Sequence, residues 1–236
     1  MTDAVRKKYL KVSPCQGIDL PTIERHEMRF LTTDEVAALA STIDERYRAL
    51  VLLACYGGLR ISELTGLKRN RVDILRGRIE VAEICVEVSG HLHWGPPKTK
   101  SGRRIITLPK PVVQELEHHL LNWPGDELVF SAPEGGPIRV ASWRRRFWNP
   151  AVKKAGVRAL RPHDMRHTAV ALWLAAGGNP LEVSRRAGHS SVSFTLDRYG
   201  HIFEDADSKL ADRLAGLYSE PDASSCDIFV TSGRAR

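Results

Sequence analysis

The stretch AGHSSVSFTLDRYGHIF, residues 187–203, has the pattern of two short helices joined by a glycine turn. Gly188 can end the first helix, the Ser190–Ser191 pair can cap the second, and Val192 and Leu196 give the second an apolar face. A helix-turn-helix motif has a similar pattern. That motif explains neither the histidine directly after the turn glycine nor the tyrosine that ends the second helix. The rest of the chain therefore has to explain these two residues.

The chain is basic, and its positive charge is concentrated in one segment. Lysine and arginine outnumber aspartate and glutamate by 35 to 28, a net charge of +7 at pH 7. This balance predicts affinity for polyanions and leaves the fold open. Residues 139–166 hold nine of the cations against Asp164 alone, and Trp143, Phe147 and Trp148 are interleaved with them. Either the rings anchor a helix with outward charges that bind nucleic acid, or the segment is an ordinary solvated face.

Several protein classes are not indicated by the sequence. Its four cysteines are scattered without a CxxC pair, so neither a zinc ribbon nor a disulfide framework is predicted. The longest apolar run, ALVLLACYGGL at 49–59, is shorter than the ~20 residues that span a bilayer. Residues 1–12 have no apolar core of the kind that signal peptides need. We expect a cytoplasmic protein without a membrane partner.

The pattern along the chain predicts a mainly α-helical fold with one small antiparallel β-sheet, an α+β class. Residues 1–30 are interpreted as a linker and 31–219 as the main domain, whose first helix has the capping-box spacing Thr32–Glu35. A buried helix should end at Gly57 and Gly58, and Val- and Ile-rich strands are predicted at 78–88, 91–95 and 103–108. Helices are predicted at 111–121 and from 140 onward. The polar tail, residues 220–236, is predicted to be disordered.

The segment RPHDMRHTAV, residues 161–170, places two cationic or titratable groups at a predicted helix start. His163 and Arg166 are three residues apart and so share one face. Positive charge at a helix N-terminus is unfavourable unless an anion such as phosphate binds there. His163 and His167 also have the i, i+4 spacing of helical metal ligands, but the neighbouring arginines disfavour a bound cation. A plain capped surface helix is the remaining alternative.

Two further segments offer cationic side chains at turns. Arg60 follows the double glycine in YGGLRISEL, where Glu63 is near enough to orient it; an ordinary surface arginine is the alternative. Lys98 and Lys100 lie in the predicted hairpin turn PKTKSGRR, although a lysine-rich turn is usually just solvated.

Taken in order, five segments resemble the tyrosine recombinases of the phage integrase family. They are GLRISEL (58–64), PKTKSGRR (97–104), HDMRH (163–167), AGHSS (187–191) and RYGH (198–201). The resemblance covers about residues 30–218, the catalytic domain of that family. It implies catalytic roles for Arg60, Lys98, His163, Arg166, His189 and Tyr199. Lys100 is an alternative to Lys98, because it lies two residues further along the same turn.

The resemblance also implies a reaction. Two guanidiniums stabilise the charge of a phosphodiester transition state, and Tyr199 attacks to form a 3′-phosphotyrosine. His163 or His189 accepts the phenolic proton or binds the phosphate, and Lys98 protonates the 5′-oxygen, which leaves as a hydroxyl. The implied partner is double-stranded DNA, with no cofactor, metal ion or ATP. The candidate DNA-binding residues are Arg144, Arg145, Arg146, Lys153, Lys154, Lys100 and Arg103.

Family members usually carry a core-binding domain before the catalytic one. Residues 1–30 resemble only the end of that domain and its linker, so we expect either a fragment or a short recombinase, acting at the nucleoid of a prokaryotic cell. A catalytically silent DNA-binding relative, a helix-turn-helix regulator and a type IB topoisomerase are the alternatives. After Tyr199, an apolar stripe formed by Leu210, Leu214, Leu217 and Tyr218 is predicted to dock in a neighbouring protomer of a tetramer on DNA; otherwise it packs on its own domain.

Overall fold

Helix α3 (Arg48–Gly57) forms the buried centre of the fold, because seven of its ten residues are buried and apolar or glycine. It packs against α2 (Thr33–Thr42), α5 (Lys110–Asn122) and α8 (Asp164–Ala175). The structure is a computed structural model that describes residues 2–18, 29–125, 127–189, 191–200, 211–212 and 214–215. The mainly α-helical class with antiparallel strands is confirmed.

The other helices are mostly short. They are α1 (Thr2–Arg6), α4 (Ile61–Thr65), α6 (Val140–Trp143), α7 (Asn149–Lys154), α9 (Pro180–Ala187) and α10 (Val192–Tyr199). Single 3-10 turns lie at Glu45–Tyr47, Arg69–Arg71 and Lys100–Gly102, and a π-helical segment, Arg144–Trp148, joins α6 to α7. Thr32 and Glu35 form the predicted capping box at the start of α2, in which each side chain accepts a hydrogen bond from the other residue's backbone.

The strands form two antiparallel sheets rather than the one that the sequence predicted. In the first sheet β2 (Arg78–Val81) lies between β1 (Val72–Asp73) and β5 (Arg104–Thr107). The second is the hairpin of β3 (Ile84–Val88) and β4 (His91–Gly95). The predicted run 78–88 is therefore divided after Val81, because its two halves pair with different partners. Apolar periodicity in one segment carries no information about that choice.

Two apolar clusters hold the fold together. The larger one is built around α3, and it includes Trp143 and Trp148, which anchor the basic segment as in the first of the two alternatives that the sequence left open. The smaller one contains Val170, Leu174, Val183 and Ala187, and the ring of Tyr199 is part of it. In the described part of the chain, no helix is long and apolar enough to cross a membrane.

Candidate active site

Arg60 is positioned by a glycine turn and a carboxylate. Gly58 ends α3 with φ of +68°, and a Cβ there would lie 2.4 Å from the Trp173 ring, so both backbone and space require glycine. Arg60 then caps α4, and its guanidinium donates to Glu63 Oε1 at 2.9 Å. Glu63 Oε2 accepts the Arg60 backbone N–H, also at 2.9 Å. The predicted pair thus lies together, with the arginine half-buried and the glutamate buried.

Arg104, which the sequence analysis did not single out, grips the same carboxylate. Its two terminal nitrogens donate to the two oxygens of Glu63 at 3.1 and 3.0 Å, and its side chain is only 7% exposed. Burial alone would raise the pKa of Glu63, but the hydrogen bonds and charge of Arg104, with smaller effects of Arg60 and Arg166, lower that pKa below its ordinary value. The sequence signal that could have identified Arg104 is the alternation of strand 103–108. That alternation places one of the neighbouring arginines, Arg103 or Arg104, on the inner face without deciding which.

Arg166 is buried on α8 without a direct carboxylate bond in the described residues. It is 3% exposed, and it donates to the backbone carbonyls of Gly58, at 2.6 Å, and Ala187. Burial, together with repulsion from Arg60 and Arg104, lowers the pKa of this guanidinium to about 9, while Glu63 opposes the shift. A bound anion would relieve the unfavourable burial of this charge.

The C-terminal end of α9 holds all three guanidiniums. Three consecutive carbonyls accept from them: Arg186 from Arg104 Nε at 2.7 Å, Ala187 from Arg166, and Gly188 from Arg60 at 3.4 Å. The last carbonyls of a helix lack intrahelical partners and carry partial negative charge, so they suit cations. Three guanidiniums around the Glu63 carboxylate leave the cluster with excess positive charge, which fits an anionic ligand. We call Arg60, Glu63, Arg104 and Arg166 the arginine cluster.

The predicted histidines lie beside this cluster. His163 caps α8 and is exposed; partial desolvation and the charge of Arg166 lower its pKa. His189 Nδ1 shares a 2.9 Å hydrogen bond with Thr195 Oγ1. Burial, then the charges of Arg166 and Arg60, lower the pKa of His189 to about 3. Both imidazoles are therefore neutral near pH 7.

Tyr199 lies at the end of α10 with its ring buried, 1% exposed and stacked on Phe30 at 5.7 Å between centroids. Its hydroxyl lies 2.6 Å from Nδ1 of His167. The sequence suggested for His167 only the role of a metal ligand, and in the described residues no group of three or more His, Cys, Asp or Glu side chains has metal-site geometry. Burial raises the pKa of Tyr199 to about 12, with the charges of Arg166 and Arg198 opposing.

The segment of Lys98 and Lys100, residues 97–104, which we call the lysine turn, is less tightly organised than the arginine cluster. This segment joins β4 to β5, which pair in different sheets, so it is not the hairpin turn that the sequence predicted. Lys98 is exposed in it, and the described atoms give its ammonium no hydrogen bond or ion pair. The side chain of Lys100 lies outside the described part. Arg103 is exposed and pairs with Glu80 at 3.2 Å.

The predicted DNA-binding side chains of the basic segment are exposed. They are Arg144, Arg145, Arg146, Lys153 and Lys154. Arg146 is paired with Glu134 across the surface, and such an exposed pair contributes little and can be exchanged for a phosphate.

The fold is mainly α-helical with small antiparallel sheets, and the arginines and histidines described above lie beside a tyrosine. This combination defines the class of tyrosine recombinase catalytic domains. The chain matches the phage integrase family over residues 29–205 and belongs to that family. A solved structure of the Tn1549 transposon integrase in complex with transposon right end DNA aligns with a TM-score of 0.76 at 25% identity, covering 91% of this chain and 75% of the other.

Two curated relatives illustrate the match. The prophage phiRv2 integrase of Mycobacterium tuberculosis is 30% identical over 222 residues, which cover 92% of this chain and 59% of the relative. The ICEBs1 integrase of Bacillus subtilis is 28% identical over 228 residues, covering 91% and 61%. The chain thus spans about three fifths of the length of these relatives.

Proposed function

We propose that this chain is the catalytic part of a site-specific DNA recombinase that cuts and rejoins DNA through a 3′-phosphotyrosine. The observation that carries the proposal is the convergence of three guanidiniums on the end of α9, in a domain that also holds Tyr199 at the end of the next helix, α10. The excess positive charge suits the non-bridging oxygens of a phosphodiester, whose negative charge grows in the transition state. Relatives named as integrases, and an integrase structure that contains DNA, support DNA as the substrate.

In the proposed reaction, Tyr199 Oη forms a bond to phosphorus and the bond from phosphorus to the 5′-oxygen breaks. His163 or His189 takes the phenolic proton or binds a phosphate oxygen, and Lys98 gives a proton to the departing 5′-oxygen. The 3′-phosphotyrosine keeps the energy of the broken bond, so a 5′-hydroxyl of another strand can reverse the step without ATP. Arg60 and Arg166 supply positive charge at the phosphate, so the proposed chemistry does not require a metal ion.

The remaining expectations extend this proposal. Residues 31–219 would be the catalytic domain and residues 1–30 a linker, acting at the nucleoid of a prokaryotic cell; the predicted tail, residues 220–236, lies outside the described residues. Exposed cations at 144–146 and 153–154, with Lys100 and Arg103, would contact DNA phosphates. A tetramer would form on DNA through the segment after Tyr199. Of its apolar stripe, the structure describes Leu214, which is helical and 56% exposed; Leu210, Leu217 and Tyr218 lie outside the described residues.

A second candidate is a catalytically silent DNA-binding relative, which the burial of the Tyr199 hydroxyl favours. Trapping of the covalent intermediate separates the two. The substrates are nicked duplexes that together cover the source genome. Cleavage next to the nick releases a short fragment with a 5′-hydroxyl, so this hydroxyl is no longer present to reverse the reaction. An active enzyme therefore stays covalently attached to the DNA and is detected in a denaturing gel. We expect an adduct with the wild type and none with Tyr199→Phe, while non-covalent binding persists.

Tyr47→Phe is the matched control, because Tyr47 is equally buried. An adduct that survives in Tyr199→Phe would contradict the assignment of the nucleophile. Tight DNA binding with no adduct on any duplex would favour the silent relative.

A further inference from the structure

The inner face of α10 is held by two hydrogen bonds to histidines. Of its eight residues, Thr195 and Tyr199 are buried, and they lie one helical turn apart. Thr195 shares a hydrogen bond with His189, and Tyr199 shares one with His167, at 2.9 and 2.6 Å. The large apolar residues Phe194 and Leu196 of the same helix are 41% and 45% exposed. Helix α10 thus buries little apolar surface of its own beyond the tyrosine ring.

The position of Tyr199 is incompatible with attack on DNA. A nucleophile must contact the phosphorus atom, but this side chain is 1% exposed, with Phe30 stacked on its ring. A duplex is too wide to follow the hydroxyl into the small apolar cluster of Val170, Leu174 and Val183. The ring therefore has to leave this cluster before any covalent step, and whatever holds it there sets how often it leaves.

His167 is the polar group that holds it. The imidazole is 8% exposed, and burial followed by the charges of His163 and Arg198 lowers its pKa to about 4, so it is neutral. A neutral imidazole accepts at one nitrogen, and a protonated phenol donates, so the short contact is satisfied with Tyr199 as the donor. Departure of the ring would break this bond and leave Nδ1 in a buried place without its partner.

We propose that His167 is a positioning residue that holds Tyr199 in a buried resting position, and that the Oη to Nδ1 bond breaks before the tyrosine reaches a phosphodiester. The role of Tyr199 as nucleophile rests on the proposed function; the retention of its ring by His167 does not. The bond is not required for the chemistry itself, so its loss should make the tyrosine more available rather than less reactive.

Retention can be measured without DNA by fluorine NMR on protein labelled with 3-fluorotyrosine. The chain contains five tyrosines, and each resonance can be assigned by a Tyr→Phe variant. A soluble paramagnetic chelate relaxes exposed rings and spares buried ones, with Tyr9 (79% exposed) and Tyr47 (1% exposed) as internal references. We expect wild-type Tyr199 to be protected like Tyr47. In His167→Leu its exposed population should rise roughly two- to tenfold, the range for one lost hydrogen bond.

Matched variants separate the hydrogen bond from packing. His167→Asn places an amide oxygen near the position of Nδ1 and should restore protection, whereas His167→Gln places its amide near Nε2 and should not. If Tyr47 is exposed in His167→Leu, that variant is unfolded. The comparison of the Asn and Gln variants then still tests whether the hydrogen bond retains Tyr199. Equal protection of Tyr199 in the Asn and Gln variants, or a wild-type Tyr199 as accessible as Tyr9, would overturn the proposal.

The adduct assay supplies the second measurement. If His167 only retains the ring, His167→Leu should form the covalent adduct roughly two- to tenfold faster than wild type, and His167→Asn at the wild-type rate. Loss of the adduct in His167→Leu, with Tyr199 exposed by NMR, would overturn the proposal, because His167 would then be needed for the chemistry. No adduct in the wild type would contradict the proposed function and leave the NMR result on ring retention standing.

Discussion

The arginine cluster is more fully organised than the proposed general acid, Lys98, and the proposed nucleophile, Tyr199. Arg104 and Arg166 are buried, Arg60 is half-buried, and each donates to a carbonyl at the end of α9. Lys98 is exposed in the lysine turn, whereas Tyr199 is buried and its hydroxyl is hydrogen-bonded to His167. The positive charge is therefore in place without DNA, while the proposed acid and the proposed nucleophile are not. In our proposal, DNA binds before Tyr199 can react, because the arginine cluster is complete in the free protein and the sites of Lys98 and Tyr199 are completed only afterwards.

Removal of a guanidinium should have the largest effect. Arg166→Ala or Arg60→Ala should slow adduct formation by two to three orders of magnitude, because each loses at least ~3 kcal/mol of transition-state stabilisation. Single-turnover cleavage of the nicked duplex measures this. Arg161→Ala is the control, since Arg161 lies near Arg166 in sequence but is exposed and paired with Asp164. Rates within a fewfold of wild type for Arg60→Ala or Arg166→Ala would make that arginine structural only.

Replacement of the lysine should have the next largest effect. Lys98→Ala should slow cleavage by about a hundredfold if Lys98 is the general acid. A substrate with sulfur at the 5′-bridging position should restore the rate, because a thiolate leaves without a proton. The same substrate should not rescue Arg166→Ala. Rescue of Lys100→Ala instead would transfer the role two residues along the turn.

Replacement of Arg104 tests how firmly the arginine cluster is organised, because it should lower the stability of the fold. Arg104→Met leaves the buried Glu63 carboxylate with Arg60 as its remaining direct side-chain partner among the described residues, and should lower the free energy of unfolding by about 2 kcal/mol. Arg103→Met, the exposed neighbour, should cost less than about 1 kcal/mol. Urea denaturation of the two variants measures the difference. Equal losses would show that the ion pair with Glu63 is no stronger than a surface pair.

His167, which is buried, and His189, which is half-buried, should make stability depend on pH. The pKa values of His167 and His189 are lowered to about 4 and about 3, so between pH 6.5 and 4 the unfolded chain binds more protons than the folded one. Stability should therefore fall as pH falls, by about 1.4 kcal/mol per unit for each histidine. His167→Asn should reduce the slope, because it removes one of these two imidazoles. An unchanged slope in His167→Asn would argue against a buried neutral imidazole.

The sequence predicted single residues well where the determining interactions are local, and poorly where they are distant. The Thr32–Glu35 capping box, the end of α3 at Gly57–Gly58 and the Arg60–Glu63 pair all depend on neighbours within a few positions. Arg104 and His167 were missed because their partners, Glu63 and Tyr199, lie 41 and 32 positions away. The division of strand 78–88 was missed for the same reason. Motif order could identify the family, but the roles of the catalytic residues stay predictions.

The end of α9 links the positions of the three guanidiniums. Their acceptors are successive peptide groups of one helix, closed by Gly188 at φ of +67°, where a Cβ would lie 2.8 Å from the Ser101 carbonyl of the lysine turn. A slide of α9 along its axis by one residue, about 1.5 Å, would take all three carbonyls out of register together. The bonds of Arg60 and Arg104 to Glu63 would persist, so such a slide would remove from Arg166 both its acceptor on α9 and its alignment with the other two guanidiniums.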